Sequence, residues 1–356
     1  MNLRRSAVIS LVSVSLLFAG AGCISIGANP NAGAGDGGIF KSADKGDSWV
    51  QKNAIPTTGG DKRSISGTAI TYITQDPQDA NALYIGTAEN GMFYSYDGGD
   101  SWTQPAQVSR GRIPYIAVHP KDKCIIYVTA ENKLLKTEDC SRTWSVPFLD
   151  ARSDKKTKVV AIDSYNPGII WLGTNSGDLL KSTDGGNSWA NVYNFNDDLI
   201  KLIISPTDTR HIYVATKGSG VWRTRDGGAT WTDLSAKYAD FSGAREFGEL
   251  VMAPSDPKTL VLASKFGLIR TTDGGDSWGK IDLLTPAGST VIYSLALDAK
   301  DPNNIYYGTA TTFYRSPNGG VNWVPKRLPT TRAATFLLVD AKNSSILYMG
   351  ATKFKQ

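Results

Sequence analysis

Seven short segments of the chain repeat one another. They read SADKGDSW (42–49), SYDGGDSW (95–102), TEDCSRTW (137–144), STDGGNSW (182–189), TRDGGATW (224–231), TTDGGDSW (271–278) and SPNGGVNW (316–323). Each closes on a tryptophan, and the intervals between these are 53, 42, 45, 42, 47 and 45 residues. A unit of that length built of short strands is the signature of a β-propeller with one blade per repeat.

Each segment carries turn chemistry. Paired glycines supply φ > 0 between two extended runs, and the side chains of Asp44, Asp97, Asp139, Asp184, Asp226, Asp273 and Asn318 can accept hydrogen bonds from their own turns. One active site does not need seven copies, whereas every blade needs its turn. The boxes therefore read as structural. The closing Trp reads as an apolar plate between sheets.

Three further runs accompany each box. An apolar run often ending in Asp or Pro comes first, as in TYITQDP (71–77) or KLIISP (201–206). A β-branched and aromatic run follows, as in ALYIGTA (82–88), and a short run such as GMFYS (91–95) leads into the box. Runs of this kind bounded by Gly, Pro, Asn and Asp read as strands. The N-terminal end supplies only the third strand and box of a blade, GIFKSADKGDSW, and the C-terminal end only the first two, FLLVDA and ILYMGAT. The expected fold is an all-β, seven-bladed β-propeller with four-stranded blades. Its ring is closed where the C-terminal first and second strands pair with the N-terminal third and fourth.

The N-terminal segment reads as an export signal. Arg4 and Arg5 precede an apolar stretch from Ala7 to Phe18, and small residues lead to Cys23. This resembles a bacterial lipoprotein signal, which implies cleavage after residue 22 and a lipid on Cys23, although Gly20 stands where Leu is commonest. The expected organisation is a signal peptide at 1–22, a lipidated Gly/Ala/Asn-rich tether at 23–37 and a propeller at 38–356. The protein is expected to be exported and anchored on the periplasmic or cell-surface side of a bacterial membrane. Loss of Arg4 and Arg5 takes the formal charge from +5 to +3, which gives no case for nucleic acid.

Cys124 and Cys140 remain. A hairpin turning at Glu131–Asn132 sets 130 opposite 133 and brings 124 to within a residue of 140. A disulfide is expected there, stapling the one box without glycines.

Chemistry-bearing groups are sparse. The two histidines, His119 and His211, fall beside strand ends, no Ser-His-Asp or Cys-His set assembles, and no spacing suits a metal. No catalytic residue, metal or cofactor is expected. Strand alternation puts the boxes on one rim and the blade-connecting loops on the other. Long connections at 50–67 and 232–247 carry Arg63 and Arg245; Arg112 and Arg332 lie in other connections of that rim. Tyr72, Tyr115, Lys201, Glu249 and Phe336 sit at matching height in the innermost strands. Irregular loops on a rigid scaffold are a usual place for recognition, so these nine residues form the expected partner-binding face.

The seven boxes resemble those of the Asp-box (BNR) repeat propellers. That group includes sialidases, xyloglucan-hydrolysing enzymes, sortilin-type receptors and the photosystem II stability/assembly factor family. A single exported propeller on a lipid anchor looks most like the last. The resemblance implies a monomeric, non-catalytic assembly scaffold whose partner is a membrane-associated protein. The alternative is a sialidase-like glycoside hydrolase or a glycan-binding protein. Arg112-Ile113-Pro114 resembles the sialidase Arg-Ile-Pro element, and Tyr115 with Glu249 would supply a nucleophile pair. That element belongs before the first box, however, and here it follows the second. Xyloglucan-type enzymes typically use two propellers, where this chain has one.

Overall fold

The computed structural model describes residues 35–59 and 61–353. The signal segment, Cys23 and the tether up to residue 34 lie outside them. Period-2 burial and β-branched composition produce short antiparallel strands that form seven sheets in a ring. Blades are numbered here by their innermost strands: Ile70–Gln75 in blade 1, Tyr115–Val118 in blade 2, Thr157–Ile162 in blade 3, Leu199–Ile204 in blade 4, Phe247–Ala253 in blade 5, Ser294–Leu297 in blade 6 and Ala333–Val339 in blade 7. Blade 7 is the composite. Leu347–Thr352 pairs on one side with Ala333–Val339 and on the other with Gly38–Ser42, which pairs in turn with Val50–Gln51.

Blade 1 departs from the pattern. Its outermost strand shrinks to one bridge between Tyr94 and Thr103, because the chain meets Pro105, which has no N–H for a ladder, and turns into the 3-10 segment Ala106–Val108. The second strands carry the core. Leu83–Thr87, Ile126–Ala130, Ile170–Thr174 and Ile212–Thr216 are buried at every residue.

The boxes are hydrogen-bonded as structural turns. In the blade 3 box the Ser182 hydroxyl donates to Asp184 Oδ1, which also accepts the Ser188 N–H, while Ser188 Oγ donates to Oδ2 at 2.6 Å. The same set recurs around Asp44, Asp97, Asp139, Asp226 and Asp273. The two central positions take φ > 0 in every box, and in the blade 2 box Cys140 and Ser141 adopt it at 59° and 68° in place of glycine. The N–H of the first central residue donates to the turn between the first two strands of its own blade, as Gly185 to Gly168 and Gly98 to Asn81. Cys140 makes the same bond to Cys124 and adds the expected disulfide.

Neighbouring blades are clasped through these boxes. In five of the seven boxes the carbonyl of the first central residue accepts from the preceding blade: Tyr348 and Lys41 at Gly98, Tyr127 at Gly185, Lys181 at Gly227, Tyr213 and Arg223 at Gly274, and Arg315 at Lys45. The closing tryptophans are less uniform than expected. Trp102 is fully buried and Trp278 nearly so, while the other five are half-buried. Several pack an indole edge on a ring across the blade junction, as Trp49 on Phe313 and Trp189 on Phe148.

Two predictions follow from this framework. Deleting residues 335–356 removes most of the innermost strand and all of the second strand of blade 7. It should replace one cooperative calorimetric transition by a broad, early one; a truncated chain that melts like the full one would show that the ring does not need its seam. The second concerns acid. The hydroxyl four residues on, then the nearby backbone N–H, holds Asp44, Asp139 and Asp184 at about 2. The same bonds, led by that hydroxyl, lower Asp273, and in Asp226 the hydroxyl two residues before ranks second. Asp97 is lowered too, although burial opposes it. A depressed folded-state value gives stability that is complete above the unfolded value near ~4 and is lost as pH falls through about 2. Melting temperature should therefore fall steeply between those limits. Asp184→Asn should make the decline shallower by the share of one group, and an unchanged slope would assign it elsewhere.

Candidate functional site

The innermost strands surround a channel, and their first residues line its end on the rim opposite the boxes. In five blades a β-bulge of one residue interrupts this strand before it meets the second. The residue after the bulge lies opposite a small residue of the second strand: Tyr72 opposite Gly86, Val159 opposite Gly173, Lys201 opposite Ala215, Glu249 opposite Ala263 and Phe336 opposite Gly350. Tyr115 and Ser294 hold the same register position, opposite Thr129 and Gly308. Small partners are needed because the next blade presses in. A Cβ on Gly173 would stand 2.6 Å from Leu199 Cδ2, and one on Gly350 2.7 Å from Ile70 Cγ2.

Seven strands thus present one ring of seven residues. Tyr72 stacks obliquely on Tyr115, with centroids 4.2 Å apart, and meets Phe336 edge-on at 5.1 Å. Lys201 Nζ lies 2.8 Å from Glu249 Oε1 and 5.9 Å from the centre of the Tyr115 ring. Both charged side chains are largely shielded, at 15% and 19% exposure. Burial, followed by the Tyr115 phenol and the Glu249 charge, raises the Tyr72 hydroxyl well above its ordinary value. Burial alone would lower Lys201, but Glu249 and Tyr115 overcome it and leave the ammonium raised. From this ring a cavity of about 350 Å3 runs along the strands of blades 1, 5, 6 and 7 to their box-side ends at Pro77, Pro254, Ala299 and Ala341.

The sequence-derived residues therefore divide. Tyr72, Tyr115, Lys201, Glu249 and Phe336 come together in the channel. Arg63, Arg112 and Arg245 are exposed on the rim and carry no ion pair among the described residues. Arg332 is engaged: its Nε donates to Asp36 Oδ1 at 3.1 Å, and Thr331 binds the other carboxylate oxygen. Tyr115 and Glu249 do not form the anticipated pair, since Glu249 is bonded to Lys201. The long connections are anchored by buried side chains rather than merely solvated: Ile65 in one, Leu234, Tyr238 and Ala244 in the other.

A second constellation had no sequence signal of its own. On the same rim Arg152 binds Asp150 through two bonds of 2.9 Å and lies 3.9 Å from Asp178. Asp178 also accepts Asn191, Asn194 and Ser176. The Arg152 bond, against a smaller effect of burial, lowers Asp150; for Asp178 burial is the largest effect and opposes, yet the Ser176, Asn194 and Asn191 bonds leave it lowered. Exposed Asp154, in the same loop, adds to the negative field on Arg152 and carries no ion pair among the described residues. The cluster joins a blade 2–3 connection to a hairpin of blade 3, so only the fold brings it together.

Comparison with known proteins finds similarity to proteins of several functions. A family profile described as sortilin, neurotensin receptor 3 matches residues 177–282. A xyloglucanase from Paenibacillus sp is 25% identical over 321 residues, covering 81% of this chain and 29% of the enzyme. The photosystem II assembly lipoprotein Ycf48 of a Synechococcus strain is 26% identical over 122 residues, covering 33% of this chain and 35% of that one. Among solved structures, the Niastella koreensis GH74 enzyme superposes with a TM-score of 0.64 at 18% identity, over 85% of this chain and 53% of its own, a likeness of fold. The chain spans less than a third of the xyloglucanase it matches. In sequence the xyloglucanase match runs much further along the chain than the assembly-factor match, and it overturns the expectation of a non-catalytic scaffold. The relatives found fit the hydrolase alternative better, and they are xyloglucanases rather than sialidases.

Proposed function

We propose that the chain is a carbohydrate-active propeller that hydrolyses β-linked glucan of the xyloglucan type. The observation that carries this reading is the similarity to a xyloglucanase across 81% of the chain. Glycoside hydrolysis needs two carboxyl groups flanking the scissile bond, one to transfer a proton to the leaving oxygen and one to act as base or nucleophile. On the loop rim the group around Arg152 supplies carboxyl groups for these roles. Asp178 and Asp150, held low by their hydrogen bonds, suit the ionised role. Asp154, exposed in the same loop and without an ion pair among the described residues, is the group proposed for proton transfer. Asn191 and Asn194 present amides beside them that can bind sugar hydroxyls. A lipid on Cys23 would hold the propeller outside the cytoplasmic membrane, where polysaccharide is met.

Incubating the full chain with xyloglucan and with cello-oligosaccharides should release new reducing ends. Asp154→Asn and Asp178→Asn should each lower kcat by about 100-fold or more, the usual scale for losing an acid or base, with little change in melting temperature. No release of reducing ends from either substrate would refute the reading. Activity indifferent to both substitutions would move the site elsewhere on the rim.

A further inference from the structure

We infer that the channel cavity is a separate binding site for a neutral sugar, one pyranose or a short oligosaccharide, held by the Lys201–Glu249 pair. The ring position does not require charge: Tyr72, Tyr115, Val159, Ser294 and Phe336 fill it in the other five blades without any. Two adjacent blades nevertheless place opposite charges there, and removing both ions from bulk water is costly unless further hydrogen bonds satisfy them. The pair leaves capacity unused. Glu249 Oε1 accepts Lys201 and the Leu250 N–H, while among the described residues no hydrogen bond reaches Oε2. The Lys201 ammonium has three donors and gives one to Glu249.

Both side chains line the cavity, so this capacity meets whatever enters it. A hydroxyl can donate to the carboxylate and accept from the ammonium at once. An anion would meet Glu249, and Asp76 at the box-side end of the lining, while a cation would meet Lys201, so the pair at the ring favours a neutral ligand beside it. The remaining wall is mostly apolar: Val251, Met252, Leu295, Leu297, Phe336 and Leu338 among others. A purely apolar ligand would fill it but leave the pair's open groups desolvated and unbonded. An amphipathic ring with hydroxyls at its edge and C–H groups on its faces satisfies both. A volume of about 350 Å3 lies at the small end of ligand pockets. The cavity extends to the box-side ends of the strands, away from the Arg152 cluster, so it is distinct from the proposed hydrolytic site. Only the choice of probe sugars rests on the xyloglucan reading.

The test is calorimetric titration of the full chain with D-xylose, D-glucose and cellobiose, beside D-glucuronate and D-glucosamine as charged counterparts. At least one neutral sugar should bind saturably, and its charged counterparts about tenfold more weakly or worse, a difference of ~1.4 kcal/mol. Lys201→Met and Glu249→Gln should each weaken the neutral sugar by about tenfold or more. Because either change alone strands a charge, the double variant Lys201→Met/Glu249→Gln is included. It should fold with a normal melting curve and still fail to bind. No saturable binding of any neutral sugar, or binding unaltered in the folded double variant, would overturn the inference. Xyloglucan hydrolysis assayed in parallel separates the two readings: turnover without channel binding refutes this inference alone, and channel binding without turnover refutes the hydrolase alone.

Discussion

The carbonyl of the first central box residue is the contact on which the ring depends. It is presented outward because the two box positions take φ > 0 and the Asp side chain ties the turn behind them. A tyrosine or a basic side chain of the preceding blade then binds it, as Tyr213 and Arg223 do at Gly274. This explains the Lys or Arg that ends the third strand before its Ser or Thr at Lys41, Lys181, Arg223 and Arg315, whereas Lys136 pairs with Glu138 and Arg270 bonds Asn303. In isolation such a charge at a sheet face looks like solubility. Within the ring it is a clasp, and its hydrogen bond to a shielded carbonyl is worth more than an exposed ion pair.

With blades registered against one another from the box side, the opposite ends of the innermost strands are free to vary. The bulges recur at one position, so the residue that follows each is delivered to the same level of the channel whatever its chemistry. That is how a tyrosine, a phenylalanine, a valine, a lysine and a glutamate come to one level, which Tyr115 and Ser294 reach at the same register without a bulge. The fold sets where the side chains go and leaves their identity open, the condition under which a repeat scaffold can acquire a site.

Almost all of the fold was legible, because turn chemistry and strand periodicity are local and were repeated seven times. Even the seam at blade 7 and the Cys124–Cys140 bridge follow from counting along hairpins. The five channel residues were legible for the same reason: equal offsets from equal boxes mean equal heights. Val159 and Ser294 escaped notice only because neither carries an evident function. What could not be read was pairing between unlike loops. Nothing local ties Arg152 to Asp178, or Arg332 to Asp36, and an arginine-rich list gives no hint that Arg332 is engaged while Arg63 is exposed. Blade 1's missing outer strand likewise depended on one residue, Pro105, against a pattern that six other blades obey.

The error over function has a physical root as well. Seven structural boxes say nothing about chemistry, so weight fell on the anchor signal and on conspicuous arginines, which pointed to a protein partner. Arginine alone does not discriminate between binding a protein and orienting carboxylates for a sugar. The neighbours decide. Around Arg152 these are two ionised aspartates, an exposed third and two asparagine amides, short planar groups that match hydroxyls rather than the broad apolar anchors of a protein interface. The large aromatics lie instead inside the channel, packed on one another beside a shielded ion pair. A small ring entering along the strands would meet them beside that pair. The distribution of aromatic and polar groups between rim and channel thus argues for carbohydrate at both.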